Sequence, residues 1–308
     1  MRTETFTLIG ADGVHLPGQL WLPDAAPCLI LQITHGMTEH IGRFAPLAEA
    51  LSAAGIGAVG IDLRGHGHNP GSADCASLGE GGWQASLSDM ELLSGWIENH
   101  FPGVPRALLG FSLGSFLVRD ALAQDGPPPC AVLLLGTGWQ PAPVLSLLKY
   151  IVRGQICKAG FDRTTPLVQK LSFGAYNQSF RPCRTEADWL CADSVQLDAY
   201  LADPLCRPAI SAGLFWQLLD GMQRTGGPHA ADCWPKDIPV LLLSGADDPV
   251  GSQGKGVAAV QKQLRKAGLP RVQMQLIPGA RHDVLHEEAS GGAQTARESI
   301  VQFLLDSI

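Results

Sequence analysis

Residues 106–122 read RALLGFSLGSFLVRDAL. The stretch holds Gly110-Phe111-Ser112-Leu113-Gly114, a G-x-S-x-G pattern. Glycine supplies 36 of 308 residues, so chance alone can produce that pattern. Its flanks give it meaning. ALLGF is a short, continuous apolar run, as expected of a strand buried on both faces. SLGSFLVRDALA continues at helical spacing. A serine at a strand-to-helix junction sits on a tight turn that lifts its hydroxyl clear of the sheet edge. A Cβ at 110 or 114 would then collide with neighbouring backbone. The opening of the helix offers free N–H groups and its positive dipole end to developing negative charge.

The pattern repeats outward from this point. TFTLIG and QLWLP flank Asp12-Gly13 and predict an early β-hairpin. CLILQIT (28–34), GAVGID (57–62), AVLLLG (131–136), PVLLLSG (239–245) and VQMQLI (272–277) read as further strands. Helical spacing appears over 42–54, 84–99, 253–267 and 293–306. Strands alternating with helices imply an α/β fold with a parallel sheet covered on both faces. Between Gly136 and Pro239 the alternation stops. That stretch carries prolines at 141, 143, 166, 182, 204, 208, 228 and 235. The expected organisation is a core of residues 1–136 and 238–308, interrupted by a cap insertion over 137–237. Most apolar residues of the insertion are expected to pack onto the core, with Trp189 and Trp216 as candidates for a pocket wall.

A serine hydroxyl needs a base, and the base an orienting acid. In this architecture they should follow in the order Ser, Asp/Glu, His, after later strands. GADDPV (245–250) supplies Asp247 and Asp248, and GARHDVLHEE (279–288) supplies His282. The loop after AVLLLG reads GTGWQ and offers no carboxylate. An oxyanion needs two aimed donors. Leu113 N–H and Met37 N–H, from the HGMTEH loop (35–40), are the candidates, with Gly36 letting the backbone turn toward the serine. His35, Phe111 and His286 are candidate pocket residues. Glu39 and His40 are expected to fix the HGMTEH loop by hydrogen bonds. His282 and His286 lie four apart, but no third ligand at suitable spacing suggests a metal. His66 and His68, in IDLRGHGHNPGS (61–72), are expected to be structural.

Together these residues resemble the α/β-hydrolase superfamily, in particular its monoacylglycerol lipase and lysophospholipase group, close to the S33 serine aminopeptidases. The resemblance rests on HGMTEH, DLRGHG (62–67), GFSLG, GADDPV and GARH, and covers nearly the whole chain. FGAYNQSF, RTEADWL and YLADPLC are similar to cap segments of bacterial lysophospholipases. The family's acid falls on Asp248 rather than Asp247. Two positions depart from the family pattern: Phe111 before the nucleophile, and Asn69 where G-H-G-x-S closes on serine. The resemblance implies an α/β-hydrolase fold and a serine ester hydrolase working through an acyl-enzyme, with Ser112, His282 and Asp248 as triad. Alternatives are an aminopeptidase or amidase, an acyltransferase, or a ligand-binding receptor on a retained hydrolase fold. An aminopeptidase would need a cap carboxylate to hold a substrate amine. Asp188, Asp193, Asp198 and Asp203 are available, though each reads first as solvated surface charge.

The formal charge is −7 with no basic run, which disfavours nucleic acid as a partner. No stretch of about 18 apolar residues suggests a membrane span, and the start lacks a secretory pattern. Eight cysteines show no C-x-x-C spacing. The expectation is a cytoplasmic monomer or homodimer acting on a small, lipid-like ester, with no cofactor and no metal.

Overall fold

A computed structural model describes residues 1–69, 71, 75–124, 126–207 and 209–308. Pro208, and residues 70 and 72 of the glycine-rich loop, lie outside the described residues. The strands are β1 (Arg2–Ile9), β2 (His15–Leu22), β3 (Leu29–Thr34), β4 (Ile56–Ile61), β5 (Arg106–Phe111), β6 (Ala131–Leu135), β7 (Val240–Gly245) and β8 (Val272–Ile277). They form one sheet in the order β1-β2-β4-β3-β5-β6-β7-β8. β2 runs against both of its neighbours, and β3 to β8 are parallel.

Alternation along the central strands divides the core into two layers. Leu108, Val132, Leu134, Val240 and Leu242 point to one face. There they meet α2 (Gly82–His100), α3 (Leu113–Ala121) and α8 (Lys255–Lys266). Leu109, Leu133, Leu135, Leu241 and Leu243 point to the other. They meet α1 (Ala45–Ala53) and α9 (Gly292–Leu305). Strands apolar on both faces therefore read as unbroken hydrophobic runs.

Between β6 and β7 lie α4 (Ala142–Ala159), a short α5 (Pro166–Gln169), α6 (Ser194–Ala202) and α7 (Ala212–Thr225). α7 joins the main core: Leu214, Phe215, Leu218 and Leu219 belong to the same cluster as Leu113, Phe116 and Leu117 of α3. Trp189, Leu190, Leu197 and Tyr200 form a separate small cluster over the carboxyl ends of the strands. No helix among the described residues is long and apolar enough to cross a membrane.

Candidate active site

β5 is central in the sheet, and Ser112 is the residue between it and α3. Its backbone sits at φ 51°, ψ −116°, a conformation that L residues rarely adopt. Although it occupies the helix N-cap position, its side chain caps nothing. The turn admits no Cβ on either flank. At Gly110 one would stand 2.4 Å from the Gly114 carbonyl oxygen, and at Gly114 one would stand 2.1 Å from that of Thr34.

Ser112 Oγ is 2.8 Å from His282 Nε2. His282 Nδ1 is 3.0 Å from Asp248 Oδ1. That carboxylate also accepts from Ser244 Oγ and Val250 N–H, each at 2.8 Å. Asp248 and His282 are buried, and Ser112 keeps 8% of its surface exposed. Among the described residues, the Asp247 side chain makes no hydrogen bond or ion pair with this group. Gly136 leaves room for the imidazole, since a Cβ there would stand 2.8 Å from His282 Cε1. Burial disfavours the His282 cation, but the charge of Asp248 and its hydrogen bond outweigh this and hold the pKa above the ordinary histidine value.

The HGMTEH loop closes on the serine from the end of β3. A Cβ at Gly36 would lie 3.2 Å from Ser112 Cβ, so the backbone before Met37 abuts Ser112. Glu39 Oε1 accepts the Gly36 N–H at 2.6 Å, and Thr38 takes a positive φ of 63°. Met37 lines the space beside Ser112. Leu113 N–H opens α3, where first-turn donors have no acceptor within the helix.

The void at Ser112 measures only about 20 Å³, room for roughly one water. One wall is aromatic. The rings of Phe111 and Trp189 lie 5.0 and 5.3 Å from that of His282, and Phe173 stacks on Trp189 at 5.4 Å. Another part of the lining is a charged wall of Glu39, Arg43 and Asp283. Arg43 donates to Glu39 Oε2 at 3.1 Å and to Asp283 Oδ2 at 2.5 Å. Burial raises the Glu39 carboxyl above the ordinary range, with Arg43 opposing. Asp283 is pulled below the carboxylate range despite its burial, by His286 and Arg43. Beyond Phe173, Trp189, Leu190 and Tyr200 lies a second cavity of about 770 Å³, mostly apolar. These side chains, with Thr38, are common to both spaces.

The remaining sequence candidates divide. Phe111 and Trp189 face the void. Trp216 does not: α7 turns it toward α4, where Lys149 Nζ sits 4.9 Å from its ring centroid. His35 is packed beneath the loop, its Nδ1 donating to Gly36 O and its Nε2 accepting from Leu63 N–H. Burial pushes its pKa down to about 4. His286 stands behind the charged wall, 2.9 Å from Asp283. His66 and His68 bond within their own loop, to the Arg64 carbonyl and to Asp62.

Three of the insertion's aspartates are not the solvated charges the sequence suggests. Asp188 accepts from the backbone of Arg184 and Thr185, Asp193 caps α6, and Asp203 pairs with His40. Of these four, Asp198, paired with Arg184, is the exposed one. Sequence reasoning passed over Arg43 and Asp283. The signal for Arg43 was its i, i+4 spacing from Glu39. Asp283 directly follows the histidine.

A mostly parallel sheet with helices on both faces, and a serine on a strained turn after its central strand, define an α/β-hydrolase. The chain belongs to the family described as serine aminopeptidase, S33, whose profile matches residues 25–289. It is 26% identical over 280 residues to a monoacylglycerol lipase of Mycolicibacterium smegmatis, covering 90% of this chain and 89% of that protein. It is 25% identical over 283 residues to human monoglyceride lipase, covering 91% and 84%. Among solved structures, a thermostable carboxyl esterase from Bacillus coagulans superposes with a TM-score of 0.87 at 22% identity, over 99% of both chains.

Proposed function

We propose that this chain hydrolyses carboxylic esters through an acyl-enzyme, with Ser112 as nucleophile, His282 as base and Asp248 as its orienting acid. The observation that carries the reading is the unbroken hydrogen-bond path from Ser112 Oγ through His282 to Asp248. Ser112 Oγ attacks the ester carbonyl carbon as His282 Nε2 takes its proton. Asp248 holds the imidazole and stabilises its cation. The N–H groups of Met37 and Leu113 bind the oxyanion. As the acyl C–O bond breaks, His282 returns the proton to the leaving alcohol. Water then adds to the acyl carbon, giving its proton to His282, and departure of the acid returns that proton to Ser112.

The two cavities support a monoacylglycerol or a lysophospholipid as substrate class. An apolar space of about 770 Å³ suits a fatty acyl chain, and the wall of Glu39 and Arg43 suits a hydroxyl-rich alcohol. The family's aminopeptidase name raises a second reading. The carboxylates that face the void, Glu39 and Asp283, are both engaged by Arg43, which leaves neither free for a substrate ammonium. The expected location is the cytoplasm and the working unit a monomer or homodimer, with residues 137–237 acting as a cap.

Labelling with a fluorophosphonate tests the nucleophile. The wild type should label and Ser112→Ala should not; persistent labelling removes Ser112 from the role. Monoacylglycerols, lysophospholipids and amino-acid amides assayed side by side, with chain length varied, test the substrate. Amide turnover exceeding ester turnover would favour the aminopeptidase.

A further inference from the structure

One group of side chains takes no part in the reaction above. His40 ends the HGMTEH loop, while Asp203 and Cys206 follow α6 in the insertion. His40 Nε2 is 2.9 Å from Asp203 Oδ2. The ligand atoms of His40, Asp203 and Cys206 all lie within 4.8 Å of one another. In a tetrahedral zinc site with bonds of about 2.0–2.3 Å, neighbouring donors stand roughly 3.3–3.8 Å apart, so the His40–Asp203 side must open by about half an ångström while the sides to Cys206, at most 4.8 Å, draw in by no more than about 1.5 Å.

The backbone already holds this arrangement. Cys206 N–H donates to Asp203 O at 3.0 Å and Leu205 N–H to Asp203 Oδ1 at 2.8 Å, which turns carboxylate and thiol to one side. Arg207 N–H donates to Thr38 O, and Thr38 Oγ1 is 2.7 Å from Tyr200 Oη. The insertion is thus docked on the catalytic loop before any ion arrives. His40 and Cys206 are buried, and the Asp203 side chain keeps 29% of its surface exposed, which gives an ion a way in. His40 Nδ1 is buried with no hydrogen-bond partner, so Asp203 alone occupies the imidazole.

The local charge suits a cation. Arg43 is the positive group beside Cys206, and its hydrogen bond to the thiol must give way as an ion enters. Glu39 and Asp283 answer Arg43, and Asp203 adds a third carboxylate. One nitrogen, one oxygen and one sulfur donor favour a borderline transition metal, not magnesium or calcium, which take six or more oxygens.

We propose that His40, Asp203 and Cys206 form a binding site for zinc or a similar divalent transition ion, which clamps the insertion onto the oxyanion loop and holds the route to Ser112 shut. Three protein ligands leave a fourth position for water. Binding forms a metal–thiolate bond and releases the Cys206 proton to solvent. Only the thiolate binds the ion, so affinity falls as pH falls. Turnover falls because the closed seam leaves the void at Ser112 too small for an ester.

The test uses the full chain, cleared of metal with a chelator and titrated with cobalt(II) chloride and then zinc chloride. Wild type should bind cobalt with a thiolate-to-cobalt charge-transfer band and release one proton per ion. Cys206→Ser should lose the band, and Asp203→Asn should weaken binding about tenfold or more. Four exposed cysteines, 28, 157, 183 and 233, give a background that the Cys206→Ser protein reports directly. Identical bands in wild type and Cys206→Ser, or binding weaker than about 0.1 mM, would overturn the site. These readouts do not depend on the ester-hydrolase reading. For the clamp, zinc should suppress hydrolysis of a short soluble ester about tenfold in wild type, reversibly on adding chelator, and not in Cys206→Ser. Zinc that binds without inhibiting overturns the clamp.

Discussion

The indole of Trp189 lies 5.3 Å from the imidazole of His282, ring centre to ring centre, with the planes 40° apart. The same indole stacks on Phe173 and helps wall the large apolar cavity. It therefore stands between the proposed triad and the cavity proposed for a long acyl chain. Trp189→Ala should join the two spaces. We expect kcat/KM to rise for long-chain esters relative to acetyl esters. The folded state should lose about 3–5 kcal/mol, as for other buried aromatic truncations. Trp189→Phe should keep most of the stability and an intermediate preference. An unchanged ratio between long and short esters in both variants would remove Trp189 as the barrier.

The pH dependence follows from His282. As the proposed base it must be neutral to accept a proton, so kcat/KM should climb with pH through its pKa and level off above it. Asp248 holds that pKa above the ordinary value of about 6.5, so the acid limb should have its midpoint above that point. In Asp248→Asn the main raising charge is gone and burial is opposed only by Asp283 and Glu39, so the midpoint should move down while kcat drops by about 10⁴-fold. The stability sign is the reverse of the activity sign. A raised folded-state pKa stabilises fully below the unfolded value, and that contribution disappears as pH rises through the folded one. Rate profiles and urea melts measured on one buffer series would reveal opposite trends.

Gly114 carries a strict steric demand. A methyl group there would stand 2.1 Å from the Thr34 carbonyl oxygen, at the base of the catalytic loop. Gly114→Ala must push β3 and α3 apart. It should cost about 1–3 kcal/mol and slow fluorophosphonate labelling of Ser112 at least about tenfold. Labelling at the wild-type rate would mean that the turn tolerates the shift.

Arg119 is a buried cation with no carboxylate partner among the described residues. Its guanidinium donates to the carbonyls of Gly138 and Thr225, tying α3 to α7 and to the loop after β6. Burial lowers its pKa to about 10. Arg119→Met keeps the volume but strands the Gly138 carbonyl, while Thr225 O keeps the Gln263 amide at 2.9 Å. A loss of about 2–3 kcal/mol in denaturant unfolding is expected. A change within about 0.5 kcal/mol would mean that water replaces the guanidinium.

The sequence makes the sheet legible because its central strands are buried on both faces and alternate with amphipathic helices. Ser112, Asp248 and His282 are legible for a related reason. Each follows a strand, and strand ends at one edge of a parallel sheet meet in space. The insertion has no such rule. Trp216 and Trp189 are both large, apolar and flanked by helical sequence, yet one turns toward α4 and the other toward the imidazole. The direction of Trp216 depends on how α7 docks against α3 and α4, and that of Trp189 on Phe173, Tyr176 and His282, contacts that local spacing does not encode. The aspartates mislead for the same reason: a helix cap and a surface charge look alike until the backbone partner is known.

The backbone of Ser112 has a consequence for how such a molecule changes over generations. Its φ of 51° suits glycine and strains any residue with a Cβ. Ser112→Gly should relax the turn and raise stability by about 1–2 kcal/mol while abolishing chemistry. Thermodynamic pressure and catalytic need pull this position in opposite directions. A copy of the chain released from its chemical task would drift downhill toward a sturdier, inert protein.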